Sequence, residues 1–82
     1  MIENWRDLRQ SDIYAARQRI AGRVTRTPLI RAHELSHRLG GEIWFKLETL
    51  QATGAFKLRG ATNALSCLTE AQRACGVTCV SS

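Results

Sequence analysis

The sequence predicts an α/β fold in which helices accompany one βαβ unit with parallel strands. Three observations lead there. Apolar residues recur at steps of three and four through two long stretches, 11–22 and 55–68. An alternating run, Glu42-Ile-Trp-Phe-Lys-Leu-Glu48, precedes the second stretch, and a short apolar run, Val77-Thr-Cys-Val80, follows it. Strand, helix, strand in that order needs a right-handed crossover, so both strands end at one sheet edge, where open α/β sheets bind their ligands.

From the amino terminus, Ser11 is a capping residue, Ile13, Ala16 and Ile20 form one face, and Gly22 ends the first helix. Pro28 biases Thr27 away from helix, which makes 25–30 an extended connection. Ala32 to Leu39 re-enters helix, with Leu35 and Leu39 four apart and Gly40-Gly41 as the carboxyl-terminal cap. In the strand that follows, Ile43, Phe45 and Leu47 share one face and Trp44 is the apolar exception on the other. After the loop Thr49 to Gly54, the residues Leu58, Ala61, Leu65 and Leu68 make the stripe of the crossover helix. Thr69 caps a short helical turn to Cys75, and Gly76 opens the second strand.

With 44% hydrophobic and 23% charged residues and one proline in 82, the composition is globular rather than disordered. Twelve basic residues face seven acidic ones for a net charge of +5, yet the arginines scatter from Arg6 to Arg73 without an aromatic-interleaved stripe, so no nucleic-acid partner is expected. No apolar run approaches the roughly 18 residues of a membrane span, and 1–9 lacks the apolar core of a secretory signal, so a cytoplasmic protein without a membrane partner is expected. Three cysteines (Cys67, Cys75, Cys79) are an odd number and read as reduced, buried thiols; Trp5 and Trp44 read as core or subunit-contact residues. No repeat, linker or internal boundary divides residues 1–82. Two strands without a covering helix after the second are too little for a parallel sheet, and the expectation is an amino-terminal part of a larger catalytic domain.

The chemistry concentrates in Thr53-Gly-Ala-Phe-Lys-Leu-Arg-Gly-Ala61. Lys57 falls in the first turn of its helix, where the positive end of the helix dipole and nearby Arg59 disfavour a second positive charge. A neutral lysine amine attacks carbonyls, so the placement suits Schiff-base chemistry. Gly60, Ala61 and Ala64 leave a shallow small-residue face beside it on which a flat ring could lie. Lone lysines near helix starts are also common on surfaces, and small residues also serve close helix packing.

The order Arg19-Ile20, Thr27-Pro28-Leu29, Lys46-Leu-Glu48, Leu50-Gln51 and Thr53-Gly54-Ala55-Phe56-Lys57-Leu58-Arg59-Gly60-Ala61 with Asn63 resembles the amino-terminal part of the fold type II pyridoxal-phosphate enzymes, of tryptophan synthase β-like fold. The similarity is greatest to the threonine dehydratase and serine racemase branch and runs from Ile13 to Leu68, about two-thirds of the chain. The resemblance implies pyridoxal 5'-phosphate as cofactor, Lys57 as its Schiff-base lysine and mover of protons at the substrate α-carbon, and Phe56 near the cofactor ring. Ser81 and Ser82 match the first two positions of the family's Ser-Ser-Gly-Asn-His loop, which grips the substrate carboxylate. The family most often has serine where this chain has Ala55, so a proton relay through that hydroxyl is absent. The glycine-rich phosphate cradle and the polar partner of the pyridine nitrogen lie downstream in the family.

His33-Glu34-Leu35-Ser36-His37 fits the H-E-x-x-H zinc pattern. The helix is barely two turns long, no third histidine exists, and Cys75 and Cys79 straddle Gly76 without forming a metal knuckle, so no metal site is expected. The expected activity is therefore a pyridoxal-phosphate-dependent ammonia-lyase (dehydratase) that converts a 3-hydroxy amino acid of the threonine or serine type, or 3-hydroxyaspartate, to a keto acid and ammonia. The whole protein is expected to be a homo-oligomer. Racemisation and the dehydration step of hydroxyectoine breakdown are the enzymatic alternatives, and a small basic binding module or an inactive remnant is the non-enzymatic one.

Overall fold

The computed structural model describes residues 4–81. A 3-10 turn at Trp5–Asp7 leads into α1 (Gln10–Ile20), which starts one residue before the expected Ser11 cap. The reason is local: the Asp12 carboxylate accepts the Arg9 backbone N–H at 2.7 Å, so an acid in the first turn closes the helix start in place of the serine. β1 (Leu29–Arg31) follows Pro28, and α2 (His33–Leu39) stops at Gly40, which takes the left-handed conformation (φ 67°) that a side chain resists. Next come β2 (Trp44–Lys46) and a 3-10 turn at Glu48–Leu50.

β1 and β2 pair antiparallel, with Leu29 opposite Lys46, Ile30 opposite Phe45 and Arg31 opposite Trp44. Backbone bonds extend the ladder at each end, from Leu47 N–H to the Pro28 carbonyl (3.0 Å) and from Ala32 N–H to the Ile43 carbonyl (2.9 Å). Ser36, 4% exposed, clips α2 to this ladder: its hydroxyl accepts the Ile43 N–H at 2.9 Å and donates to the Ile43 carbonyl at 3.3 Å.

This arrangement departs from the expected parallel βαβ unit. The partner of β2 is β1, a three-residue segment, and 77–80 forms no strand. A strand exists only through its neighbour's hydrogen bonds, and Val77 and Val80 lie exposed with no strand edge beside them.

α3 (Lys57–Ser66) is shorter at both ends than the expected 55–68. The turn before it, with Gly54 at φ 69°, takes up 52–56. α4 (Glu70–Ala74) carries a reciprocal cap, Thr69 Oγ1 accepting the Gln72 N–H at 3.2 Å and Gln72 Oε1 accepting the Thr69 N–H at 2.9 Å. α1 and α3 pack together, held by Arg19 Nε donating to Asn63 Oδ1 (2.7 Å) and Arg23 Nη1 donating to Ser66 Oγ (3.1 Å).

Among the described residues Ile20 is the buried hydrophobic side chain, and the other buried positions are polar: Thr27, Ser36 and Gln51. The three cysteines, expected to be buried, are exposed and free, and Trp5 and Trp44 are exposed as well. The expected buried strand face is only half-buried, with Phe45 46% exposed and Ile43 and Leu47 partly covered. No helix among the described residues is long and apolar enough to cross a membrane.

Candidate functional site

Lys57 is the first residue of α3, where the sequence puts it, and it is exposed. Its Nζ donates to Ser81 Oγ at 2.6 Å, which joins two residues 24 positions apart. Phe56 immediately precedes the helix and is 67% exposed. The structure thus brings Lys57, Phe56 and Ser81 to one region, while Ser82 lies outside the described residues. An accessible primary amine, an aromatic ring and a hydroxyl are a donor set that fits an aldehyde cofactor with a flat ring. Gly60 has nothing within 4 Å of where a Cβ would stand, so that part of the small-residue face is open. Ala64 lines a separate concavity of about 670 Å³ shared with Ile13 and Ala16 of α1.

Behind the lysine sits a polar knot whose members the sequence named only as motif letters. Glu48 Oε1 accepts from Arg59 Nε (2.6 Å) and Thr27 Oγ1 (3.1 Å), and Oε2 accepts from Gln51 Nε2 (2.8 Å). The Gln51 amide also clamps the Thr25 backbone, accepting its N–H at 2.9 Å and donating to its carbonyl at 2.8 Å. Arg59 Nη2 reaches the Thr25 carbonyl (3.3 Å), and Lys46 Nζ donates to the Thr27 carbonyl at 2.5 Å. Thr27 and Gln51 are 3% and 4% exposed, so these bonds form in the driest part of the described molecule. The sequence places Arg59 beside Lys57 as a second positive charge; the structure turns its guanidinium onto Glu48 instead. Thr27, Glu48, Gln51 and Arg59 all stand among the motif residues, but no local signal marks that they meet, since the bonds run from Thr27 to Glu48 and from Arg59 back to Thr25.

Burial pushes the Glu48 carboxyl up, and the hydrogen bonds from Gln51, Arg59 and Thr27, with the Arg59 charge, more than offset it, so the group sits below its ordinary value of 4.5. A carboxyl lowered on folding contributes stability that is present above the unfolded value and is lost as pH falls through the folded one. We expect the stability of the whole protein to decline as pH drops below 4.5, and Glu48→Gln to flatten that slope, as read by denaturant midpoints of the whole protein against pH. An equal slope in the variant would refute it.

His33 and His37 lie exposed on the seven-residue α2, and among the described residues no group of three or more His, Cys, Asp or Glu could hold a metal ion. Replacing both histidines with alanine is expected to leave turnover within a few-fold. Stoichiometric zinc that disappears together with activity in the double variant would count against this.

The chain is 50% identical over 66 residues to the catabolic L-threonine dehydratase TdcB of Escherichia coli (strain K12), which covers 80% of this chain and 20% of that protein. It is 45% identical over 71 residues to the L-threo-3-hydroxyaspartate ammonia-lyase of a Pseudomonas species and 44% identical over 71 residues to the serine racemase of Schizosaccharomyces pombe, each covering 87% of this chain and 22% of the relative. The chain therefore spans about a fifth of the length of these curated relatives. The model of one family, described as pyridoxal-phosphate dependent enzyme, matches residues 20–82, most of the chain, and the chain belongs to that family.

Proposed function

We propose that the protein is a pyridoxal-phosphate-dependent ammonia-lyase acting on a 3-hydroxy amino acid of the threonine, serine or 3-hydroxyaspartate type. The observation that carries the reading is the Lys57 amine at the start of α3, hydrogen-bonded to the Ser81 hydroxyl. The cofactor, when bound, supplies an electron sink for negative charge at the substrate α-carbon. Lys57 Nζ would hold the cofactor covalently and, once the substrate amine has displaced it, would be free to move the proton at that carbon. Ser81 Oγ orients the Lys57 amine and, with Ser82, binds the substrate carboxylate. Phe56, next to Lys57, would offer an aromatic surface to the cofactor ring. The overall reaction balances: the hydroxy amino acid loses water across Cα–Cβ, regains it on hydrolysis, and ends as a keto acid plus ammonia.

Residues 1–82 are then one undivided part of a catalytic domain, in which 77–80 joins a parallel sheet with other strands. The uncovered valines at 77 and 80 support that reading. A cytoplasmic homo-oligomer with a small amino acid as substrate, and with neither a nucleic acid nor a membrane as partner, completes it.

The test is to saturate the purified whole protein with pyridoxal phosphate and supply L-threonine, L-serine and L-threo-3-hydroxyaspartate in turn. Keto acid and ammonia in equal amounts are the expected products. Formation of the opposite enantiomer without ammonia would replace the lyase by a racemase, an activity one relative's name carries.

A further inference from the structure

The helix that bears Lys57 begins without a local lock. Its N-cap is Phe56, in helical conformation and with no side-chain cap bond, and no acidic residue stands in its first turn. Helix starts without a side-chain cap fray more readily than capped ones. Arg59 anchors the first turn to the rest of the fold, its guanidinium bonding Glu48 and the Thr25 carbonyl. Those two residues belong to different segments, the turn after β2 and the connection before β1, so the anchor is set by the fold and not by the helix itself. Two residues along an α-helix turn by about 200°, which puts Arg59 and Lys57 on nearly opposite sides of α3. Fixing Arg59 inward therefore fixes the direction in which Lys57 presents its amine outward, toward Ser81.

We propose that Glu48 and Arg59 are positioning residues whose ion pair, locked by Thr27 and Gln51, acts as a rotational stop on α3 and aims Lys57 at the cofactor. The proposal rests on the reading of Lys57 given above. Glu48 suits the role because both its oxygens are taken: Arg59 and Thr27 hold one and Gln51 the other, which leaves the carboxylate no freedom to follow a moving helix. Lysine at 59 would keep the charge but lose the fork that reaches Glu48 and Thr25 together.

The test uses the whole protein and its Glu48→Gln, Arg59→Lys and Thr27→Val variants, each stripped of cofactor and then mixed with pyridoxal phosphate. Three quantities are read: the rate of borohydride-trappable attachment at Lys57, the circular dichroism of the bound cofactor band, and amide hydrogen exchange at 57–60 compared with α1. We expect attachment to slow by about tenfold or more in Glu48→Gln and Arg59→Lys, the usual scale for a misplaced reacting group. The cofactor band should weaken, and exchange should quicken at 57–60 while α1 is unchanged. Thr27→Val removes one donor to Glu48 at nearly constant volume and carries the test if the other two do not fold. Folded variants with wild-type attachment, dichroism and exchange overturn the positioning role alone. A wild-type protein that takes up no cofactor at Lys57 overturns the functional reading instead.

Discussion

Lys57→Ala is expected to remove covalently held pyridoxal phosphate completely and to lower turnover by about a thousandfold or more, since in the proposed role one group both binds the cofactor and moves a proton. The chain has two lysines. Lys46 is engaged by the Thr27 carbonyl within the knot, whereas Lys57 opens α3 with its amine on the Ser81 hydroxyl. Borohydride treatment of the wild-type protein should therefore trap the cofactor on the peptide containing Lys57. The variant should be colourless and yield no trapped peptide, while its far-ultraviolet dichroism stays that of the wild type. Substitution at an exposed helix start by the best helix former has little reason to unfold the chain, so loss of colour would report chemistry and not collapse. Retention of trappable cofactor on another lysine, with activity intact, would falsify the assignment.

Much of this architecture was legible because it is local. α2 was bounded by Gly40-Gly41, α4 opened by the Thr69 cap, and α3 signalled, though not bounded, by its Leu58, Ala61 and Leu65 spacing, all signals that act within a few residues. The sheet was not legible in the same way. Leu29–Arg31 is three residues long, too short for a period to show, and it is a strand only because Trp44–Lys46 lies opposite. Val77-Thr-Cys-Val80 has the composition of a strand but pairs with no strand among the described residues, and composition alone makes no hydrogen bond. The site divides along the same line. Lys57, Phe56 and Ser81 were named from a motif and its resemblance, and the structure brings Lys57 and Ser81 within hydrogen-bond distance. The roles of Thr27, Glu48, Gln51 and Arg59 were out of reach because each depends on a partner up to 34 residues away, as in the bond from Arg59 to Thr25.

Residues 1–82 expressed as a chain by themselves are expected to show no cooperative unfolding transition and no turnover. The molecule exposes 7230 Å², whereas a compact protein of its 9.2 kDa would expose about 4,900 Å². Its radius of gyration is 16.2 Å against about 12 Å for a compact domain of this length. The excess is apolar: Ile13, Leu29, Leu39, Leu50, Phe56 and Val77 are each more than half exposed, and Ile20 is the buried hydrophobic side chain among the described residues. Ordering a residue costs about 1 to 2 kcal/mol in backbone entropy, and burial of apolar area at about 25 cal/mol per Å² is the main term that offsets it. A two-stranded ladder and one helix pair, with most of that area in water, do not reach the balance. The polar knot does not replace a core, because each hydrogen bond nets only about 1 kcal/mol once water is counted. Hydrogen exchange of the chain should thus find the amides of 44–46 and 57–66 exchanging quickly, and heating should give a shallow drift in dichroism. A sharp transition in a monomer, with slow exchange at 44–46, would show that the described contacts suffice alone. On the proposed reading, the same exposed leucines and valines would pack against the rest of a catalytic domain, and the isolated chain would leave Lys57 without those surroundings.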